Sequence, residues 1–329
     1  MQRLVRRVSR RRVLAAAGMA PLASAVRAAD AYPSRPITLV VPFAPGGIAD
    51  LTARVAAEAM GHELGQPMIV DNRPSAGNIV GSAAVAQARP DGHTLLLLSN
   101  GNAVSASLFR HLPYDVANAF APISTIGFFD LAVLVNGSAR HRTPADLVAD
   151  ARARPGKVTI ATIAPGSTQH LAAELFKSMA RIDVLIVPYK ASPAVLSAVR
   201  AGEVDAAFEI LGPMLAQVRA GVVRALAVTG KERYPGLADV PAVRETPGLG
   251  DYAVSSWNAL AAPAGTPASI VERLVQSVHA ALALPAVRTK LDALGVRPVA
   301  GSPAELHALL SSEIARWRAV IAAARIELQ

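Results

Sequence analysis

The chain has 329 residues, of which 52% are hydrophobic and only 4% aromatic, and its formal net charge is +9 at pH 7. This length suits about two domains of ordinary size, with cores built from Ala, Val, Leu and Ile. The lack of cysteine excludes disulfides and thiolate chemistry. No apolar run reaches the roughly 20 residues of a membrane span, so we expect a soluble mature protein.

The first 29 residues predict a secretory signal that is cleaved from the mature protein. They contain seven arginines and no acid, and an Ala-rich apolar stretch follows over residues 13–25. Residues 9–14, Ser-Arg-Arg-Arg-Val-Leu, resemble the bacterial twin-arginine export motif, with a general secretion signal as the alternative. Cleavage after Ala25 or after Ala28 fits equally well. Without this segment the net charge falls to +2, which removes the case for nucleic-acid binding.

From Tyr32 onward, short apolar segments alternate with amphipathic ones, which predicts parallel sheets covered by helices. The predicted strands are 37–43, 68–70, 94–98, 123–129, 132–135, 158–162, 184–188, 206–210, 225–228 and 254–261. The predicted helices are 50–64, 79–88, 144–154, 168–179, 193–201, 213–220, 267–284 and 303–324. The last two helices come without strands, so we expect them to be C-terminal packing elements.

The most informative segment is Pro-Phe-Ala-Pro-Gly-Gly-Ile-Ala-Asp at 42–50, between the first predicted strand and the first predicted helix. A Gly-Gly turn at a helix start leaves backbone N–H groups unpaired and lets a ligand approach them closely. The helix dipole adds a positive potential, so the segment predicts an anion site. No Lys or Arg lies between Pro42 and Leu51, which favours a carboxylate over a polyphosphate.

A second strand, Pro-Gly turn and helix repeat this arrangement at 158–171. Ser167 or Thr168 is available there as a helix N-cap or as a donor to a ligand. Two such turns predict two α/β lobes with a ligand cleft at their strand ends. The competing interpretation, a hydrolase site of Ser167 and His170, lacks a Gly-x-Ser-x-Gly elbow and an evident acid. The chain also has no Walker loop, no His-Glu-x-x-His and no pair of histidines at metal spacing.

Six motifs follow one another in a characteristic order. They are Tyr-Pro-Ser-Arg-Pro-Ile at 32–37, the loop at 42–50, Asp-Asn-Arg-Pro-Ser-Ala-Gly-Asn at 71–78, Pro-Asp-Gly-His-Thr-Leu at 90–95, Gly-Ser-Thr-Gln-His-Leu at 166–171, and Pro-Tyr-Lys at 188–190 with Pro-Ala at 193–194. Together they resemble the Bug family of periplasmic solute-binding receptors, the binding components of tripartite tricarboxylate transporters. The chain departs from that family at 75–78, where Gly-Ala-Gly-Gly is common, and at Ala191, where Gly is common.

The resemblance implies an α/β protein with the class II periplasmic-binding-protein fold, in which two domains enclose a ligand cleft. The first domain would take 32–130 plus 252–329, and the second 131–251. The protein would lack catalytic residues, cofactors and metals. It would capture a small organic carboxylate in the periplasm and deliver it to membrane transporter subunits, or signal to a membrane partner instead. We expect a monomer.

In the family, the loop matching 43–50 holds a ligand carboxylate through backbone N–H groups and waters, and the loop matching 166–168 contacts the other end. The candidate ligand-binding residues are Phe43, Ala44, Pro45, Gly46, Gly47, Asp50, Ser99, Asn100, Gly166, Ser167, Thr168, His170 and Tyr189. Asp50 either caps the first helix turn or meets an ammonium group of a ligand. The Asn-Gly pair at 100–101 is also a plain turn signal. Asp205 and Glu209 face either solvent or the cleft.

Overall fold

A computed structural model describes residues 32–329, so the predicted signal segment and its export motif lie outside the described residues. The strands are β1 (Ile37–Val41), β2 (Met68–Asn72), β3 (Thr94–Ser99), β4 (Phe120–Asn136), β5 (Thr159–Ile163), β6 (Leu185–Tyr189), β7 (Ala206–Ile210), β8 (Val223–Val228), β9 (Ser255–Pro263) and β10 (Arg297–Pro298). The α-helices are α1 (Ile48–Leu64), α2 (Ile79–Ala86), α3 (Asn100–Leu108), α4 (Pro144–Ala153), α5 (Thr168–Ala180), α6 (Ser192–Ala201), α7 (Leu211–Arg219), α8 (Ala268–Ala283), α9 (Pro285–Ala293) and α10 (Pro303–Ala323).

Two groups of three parallel strands share one arrangement. In the first group β1 lies between β2 and β3, and in the second β5 lies between β6 and β7. A helix follows each of these strands, α1 to α3 in the first group and α5 to α7 in the second. The carboxyl ends of the strands and the N-termini of the following helices therefore meet at one edge of each group, where ligands of open α/β sheets bind.

The 17-residue strand β4 joins the two groups. Through Asp130 it pairs antiparallel with β9, which also pairs with β3. From Leu131 onward it pairs with β7 and β8 instead. This change of partner lies where the sequence places the boundary between two domains, and that division stays a prediction. The architecture confirms the α/β class, with antiparallel strands added to the predicted parallel ones.

The largest core cluster contains residues from both strand groups and from α3, α5 and α10. Trp257, Trp317 and Tyr252 are its largest fully buried side chains. The ring of Phe176 on α5 meets Tyr252 edge-on at 6.2 Å between centroids, and the Tyr252 hydroxyl donates to the Ala172 carbonyl at 3.0 Å. Burying one such ring contributes about 2–3 kcal/mol, so this core fixes α5 against the C-terminal part of the chain.

Two element predictions were wrong at points where tertiary contacts override local signals. The predicted strands 123–129 and 132–135 are one strand, because the residues between them continue the ladder while β4 changes partners. Helix α3 was not predicted, because Asn-Gly at 100–101 indicated a turn. Ser99 instead caps this helix in a capping box with Asn102.

The chain bends sharply between α8 and α9, where one helix was predicted to end at 284. Leu284 is extended and Pro285 begins the new helix, since proline fits a first turn but cannot donate within a helix interior. The two helix axes differ by 76°. Within residues 32–329 no single helix has both the length and the apolar character of a membrane span, and only this bent pair has both when taken together.

Candidate ligand-binding site

The first loop, residues 42–47, connects β1 to α1, and its tip from Ala44 to Gly47 is exposed. Gly46 has a φ of 82°, in the left-handed region that glycine alone adopts without strain. Gly47 is the N-cap of α1 and supplies no capping side chain. Among the residues that the structure describes, none accepts a hydrogen bond from the N–H groups of residues 48–50. These donors and the positive end of the helix dipole have the arrangement that the anion-site prediction requires, and the site itself stays a prediction.

Asp50 holds this loop in place from the first turn of α1. It is 2% exposed, and its Oδ2 accepts hydrogen bonds from the Gly46 N–H at 2.8 Å and from Arg54 Nε at 3.1 Å. Its Oδ1 accepts from Asn72 Nδ2 at 2.9 Å, and the same amide donates to the Phe43 carbonyl at 3.1 Å. Burial alone would raise the pKa of Asp50, but the hydrogen bonds from Arg54, Gly46 and Asn72 outweigh it and lower the pKa.

Asp50→Asn is expected to lower the free energy of unfolding by about 1–3 kcal/mol at pH 7, because it removes a buried ionised acceptor from three partly buried hydrogen bonds. A carboxylate whose pKa is lowered on folding stabilises the protein above its unfolded pKa, and this contribution is lost as the pH falls through the folded pKa. Urea unfolding at pH 7 and at about pH 3 should therefore show the difference between wild type and variant shrinking in acid.

The matched control for this measurement is Asp71→Asn. Asp71 makes an ion pair with Arg73 in which both side chains are more than one-third exposed, so its removal should change stability by less than about 0.5 kcal/mol. Equal effects of the two substitutions would contradict the role of Asp50 in holding the loop.

The second loop precedes α5 and is built in a similar way. Ser167 is the N-cap, and its hydroxyl oxygen accepts the backbone N–H of His170 at 3.1 Å. The Gly166 N–H donates to Nδ1 of the His170 ring at 3.4 Å. Burial lowers the pKa of His170, which favours the neutral ring that can accept at Nδ1. Because this ring nitrogen contacts Gly166 and the Ser167 hydroxyl caps the helix, the geometry does not support a serine nucleophile.

The two loops share one hydrogen-bonding device. In each, a left-handed glycine, Gly46 or Gly166, immediately precedes the N-cap. Its N–H donates to the side chain four residues later, Asp50 in the first loop and His170 in the second. The device holds the loop against the first turn of the helix. The predicted repetition of the two turns therefore extends to their internal contacts.

Asn100 links the first strand group to the second loop. It is fully buried at the start of α3, and its Nδ2 donates to Thr168 Oγ1 at 2.9 Å. Its Oδ1 accepts from Trp317 Nε1 at 2.8 Å. The neighbouring Ser99 is 3% exposed, and its N–H and hydroxyl both donate to Asn102 Oδ1. The polar groups of Ser99 and Asn100 are therefore engaged in hydrogen bonds within the protein.

The remaining predicted residues lie around the two loops. Tyr189 ends β6 and pairs in register with Ile163, the last residue of β5, so it lies beside the second loop. Its ring is half-buried and packs against a smaller core cluster that includes Ala161, Val195 and Ala207. Phe43 is half-buried at the base of the first loop, whereas Ala44 and Pro45 are exposed.

Sequence reasoning missed the roles of Arg54, Asn72 and Gln169. Asn72 belongs to a recognised motif, but its contact with Asp50 spans 22 residues and no local pattern indicates it. Gln169 directly follows Thr168, and its Nε2 donates to Oε1 of Glu209 at 2.8 Å. Within residues 32–329, no group of three or more His, Cys, Asp or Glu side chains is arranged to hold a metal ion.

Comparison with solved structures identifies the class of this protein. Rpa4515 of R. palustris, solved with adipate, matches with a TM-score of 0.79 and 35% identity over 90% of this chain and 99% of that one. Other neighbours are periplasmic binding proteins, so the fold is the predicted periplasmic-binding-protein fold. The chain belongs to the tripartite tricarboxylate transporter receptor family, whose family model matches residues 52–326.

Two relatives extend the match over almost the whole chain. The UPF0065 protein in the tcbD-tcbE intergenic region of Pseudomonas sp. strain P51 is 39% identical over 97% of this chain and 96% of its own length. The protein BugT of Bordetella pertussis is 36% identical over 94% of both chains. The Bug-family resemblance is therefore confirmed. Members of this family bind solutes and are not enzymes, and neither the family nor its neighbours support the hydrolase interpretation.

Proposed function

We propose that this chain is exported to the periplasm, captures a small organic carboxylate between two lobes, and delivers it as a monomer to the membrane subunits of a tripartite transporter. The observation that carries the proposal is the exposed first loop, which is followed by N–H groups of residues 48–50 that have no acceptor within residues 32–329. Residues 1–29, with their arginines and apolar stretch, would be the cleaved export signal, of the twin-arginine type.

The electrostatics of the first loop favour a carboxylate. The only acidic side chain in the loop segment 42–50 is Asp50, and Arg54 Nη2 lies 3.0 Å from its Oδ1. This ion pair compensates the charge that would otherwise repel an anion. With Asp50 engaged by three donors, one of them the Gly46 N–H, we assign it to holding the loop, and we assign ligand contact to the backbone N–H groups that follow Gly47.

The second loop would contact the other end of the ligand. Residues 32–130 with 252–329 would form one lobe and 131–251 the other, and the change of partners along β4 at Asp130 supports this division. Gly166, Ser167 and Thr168 lie at the strand end of the second lobe. A ligand that contacts both loops stabilises the closed arrangement by its differential affinity for that state.

Organic acids are expected to raise the melting temperature of the receptor purified from the periplasm. A ligand present at about one hundred times its Kd adds about 2.7 kcal/mol of stability, which corresponds to a shift of several degrees. A thermal-shift panel would contain mono-, di- and tricarboxylates, carboxylated amino acids and aromatic acids, with sugars, amines and inorganic phosphate as controls. Stabilisation by the non-acidic compounds alone would overturn the proposal. The adipate-bound relative supports including dicarboxylates of about that length.

A further inference from the structure

A groove with a volume of about 540 Å³ lies between the C-terminal ends of α5 and α10. Its floor is apolar, with Leu175 and Ile182 on the side of α5 and Val320 on the side of α10. A cavity of this volume can accept a small ligand or several side chains of a partner. Because α5 belongs to the predicted lobe 131–251 and α10 to the other predicted lobe, an occupant of this α5–α10 groove would contact both lobes.

The rim of the groove carries an excess of positive charge. Its cations are Lys177, Arg181 and Arg325, and its one acid is Glu174. Lys177 lies close enough to Glu174 to lower the pKa of that carboxyl group against the larger effect of burial, which raises it. The two arginines are exposed, and neither makes an ion pair or a side-chain hydrogen bond with any residue in the range 32–329. Their guanidinium groups are therefore available to an acidic group outside the chain.

Both arginines occupy a backbone position that usually belongs to glycine. Arg181 has a φ of 52° and Arg325 a φ of 54°. In each turn the following N–H, that of Ile182 or Ile326, donates to the carbonyl five residues earlier, at 3.2 Å and 3.0 Å. This is the Schellman arrangement, whose left-handed position is filled by glycine at the ends of α1 and α6. A side chain at such a position costs stability.

This cost points to a function of the two side chains. Within residues 32–329 only three non-glycine residues have a positive φ, and Arg181 and Arg325 are two of them. Compensation of the α5 dipole does not require Arg181, because Arg152 Nη2 already donates to the Ala180 carbonyl at 2.9 Å. Strained residues persist chiefly at sites where their side chains act. The two arginines share one groove, so they share one candidate occupant.

We propose that the α5–α10 groove docks an acidic segment of a membrane transporter subunit, an inference that rests on the proposed function. Carboxylates of the segment would pair with Arg181 and Arg325, and an apolar side chain beside them would enter the floor. Arginine binds a carboxylate through two parallel N–H groups and is enriched at protein interfaces. A concave apolar floor favours a protruding protein side chain over a lipid surface, which would meet only the rim.

The test is photocrosslinking in cells that contain the receptor and its own transporter. Benzoylphenylalanine replaces Ser178 or Ala323, two exposed residues that line the groove, and mass spectrometry identifies the crosslinked segment. We expect adducts with a periplasmic segment of a membrane subunit that has Asp or Glu beside an apolar residue. Arg181→Gly with Arg325→Gly should reduce these adducts at least about tenfold, because the ion pairs are lost.

The stability of the glycine variant distinguishes docking from folding. Its melting temperature should equal or exceed that of wild type, because glycine relieves the left-handed strain. The matched control removes two charges elsewhere, as Arg200→Gln with Arg288→Gln, since both arginines are exposed and neither lines the groove. It should keep the adducts within about twofold of wild type. The carboxylate panel should stabilise all three proteins equally in the thermal-shift assay.

Four results would overturn the inference. They are adducts that persist in the glycine variant, an equal loss in the control, adducts only with phospholipid or a second receptor copy, and no adduct from either position. Each of these leaves carboxylate binding to be judged by the thermal-shift panel alone. If no acid stabilises the receptor while the expected adducts form and depend on the two arginines, the carboxylate proposal fails and the docking groove stands.

Discussion

Gly47→Asp is expected to abolish the binding of organic acids while leaving the receptor folded. The new side chain has room, because a Cβ at this position would meet only the Ala44 carbonyl oxygen at 3.8 Å. Gly47 has a φ of −78° and is the N-cap of α1, a position where Asp is a preferred residue. Its carboxylate would accept the same N–H groups as the ligand and would repel a second anion. We expect affinity to fall at least about a hundredfold, since both effects act on one contact.

The stability of this variant distinguishes a blocked site from a damaged fold. Because Asp caps a helix better than Gly by a few tenths of a kcal/mol, the free energy of unfolding should stay unchanged or rise slightly. Gly47→Ala is the matched control, since it adds a methyl group without a competing acceptor or a charge. It should keep binding within a few-fold. Isothermal titration calorimetry measures the affinity of both variants for the best acid from the thermal-shift panel. An equal loss of affinity in the two variants would show that the bulk of the side chain, rather than its charge, prevents binding.

Asn100→Leu is expected to lower the free energy of unfolding by about 2–4 kcal/mol, because it removes the partners of two groups at once. Trp317 Nε1 would lose the acceptor that Asn100 Oδ1 provides in the core, and Thr168 Oγ1 would lose the amide that donates to it. Trp317 is fully buried, so water cannot replace the lost acceptor without opening the core. Urea unfolding of the variant and wild type measures the difference.

Thr168→Val is the matched control for the Asn100 prediction. It keeps the shape of the side chain and removes only the oxygen that accepts from Asn100, so it should cost about 1–2 kcal/mol. Thr168 is also partly exposed, which reduces the penalty. If Asn100→Leu were no more destabilising than Thr168→Val, the hydrogen bond to Trp317 would contribute nothing to the core, and the assignment of Asn100 as a structural link would be wrong.

The local structure of the first loop was predicted well from sequence, because neighbours along the chain produce it, whereas its role in ligand binding stays a prediction. A glycine pair between a buried strand and an amphipathic helix leaves N–H groups unpaired wherever the rest of the protein lies. The same is true of Ser167, whose capping contact with His170 spans three residues. The strand before each loop and the helix after it were also predicted, since their hydrophobic periodicity is local.

The polar residues at the strand ends could not be assigned from sequence. Ser99 and Asn100 have the side chains of ligand contacts, yet Ser99 caps α3 and Asn100 bonds to Trp317, 217 residues away. Asn-Gly at 100–101 indicated a turn because the local signal ignores the core that buries Asn100. Glu209 could face solvent or the cleft on its strand pattern alone. In the structure Glu209 is 1% exposed and accepts a hydrogen bond from Gln169, 40 residues away, so it does not face solvent.

The sequence by itself determined the repeated strand, glycine turn and helix, and from them it predicts an anion site free of basic side chains. These features depend on backbone conformation and on residues within one helical turn. Only the tertiary structure shows which polar groups are hydrogen-bonded within the protein and which are not. Asp50 bonds to its own loop and Asn100 to the core, whereas the N–H groups of residues 48–50 have no acceptor within residues 32–329. Hydrogen-bond partners are selected by distance and burial in space, and neither quantity can be read from the order of residues along the chain.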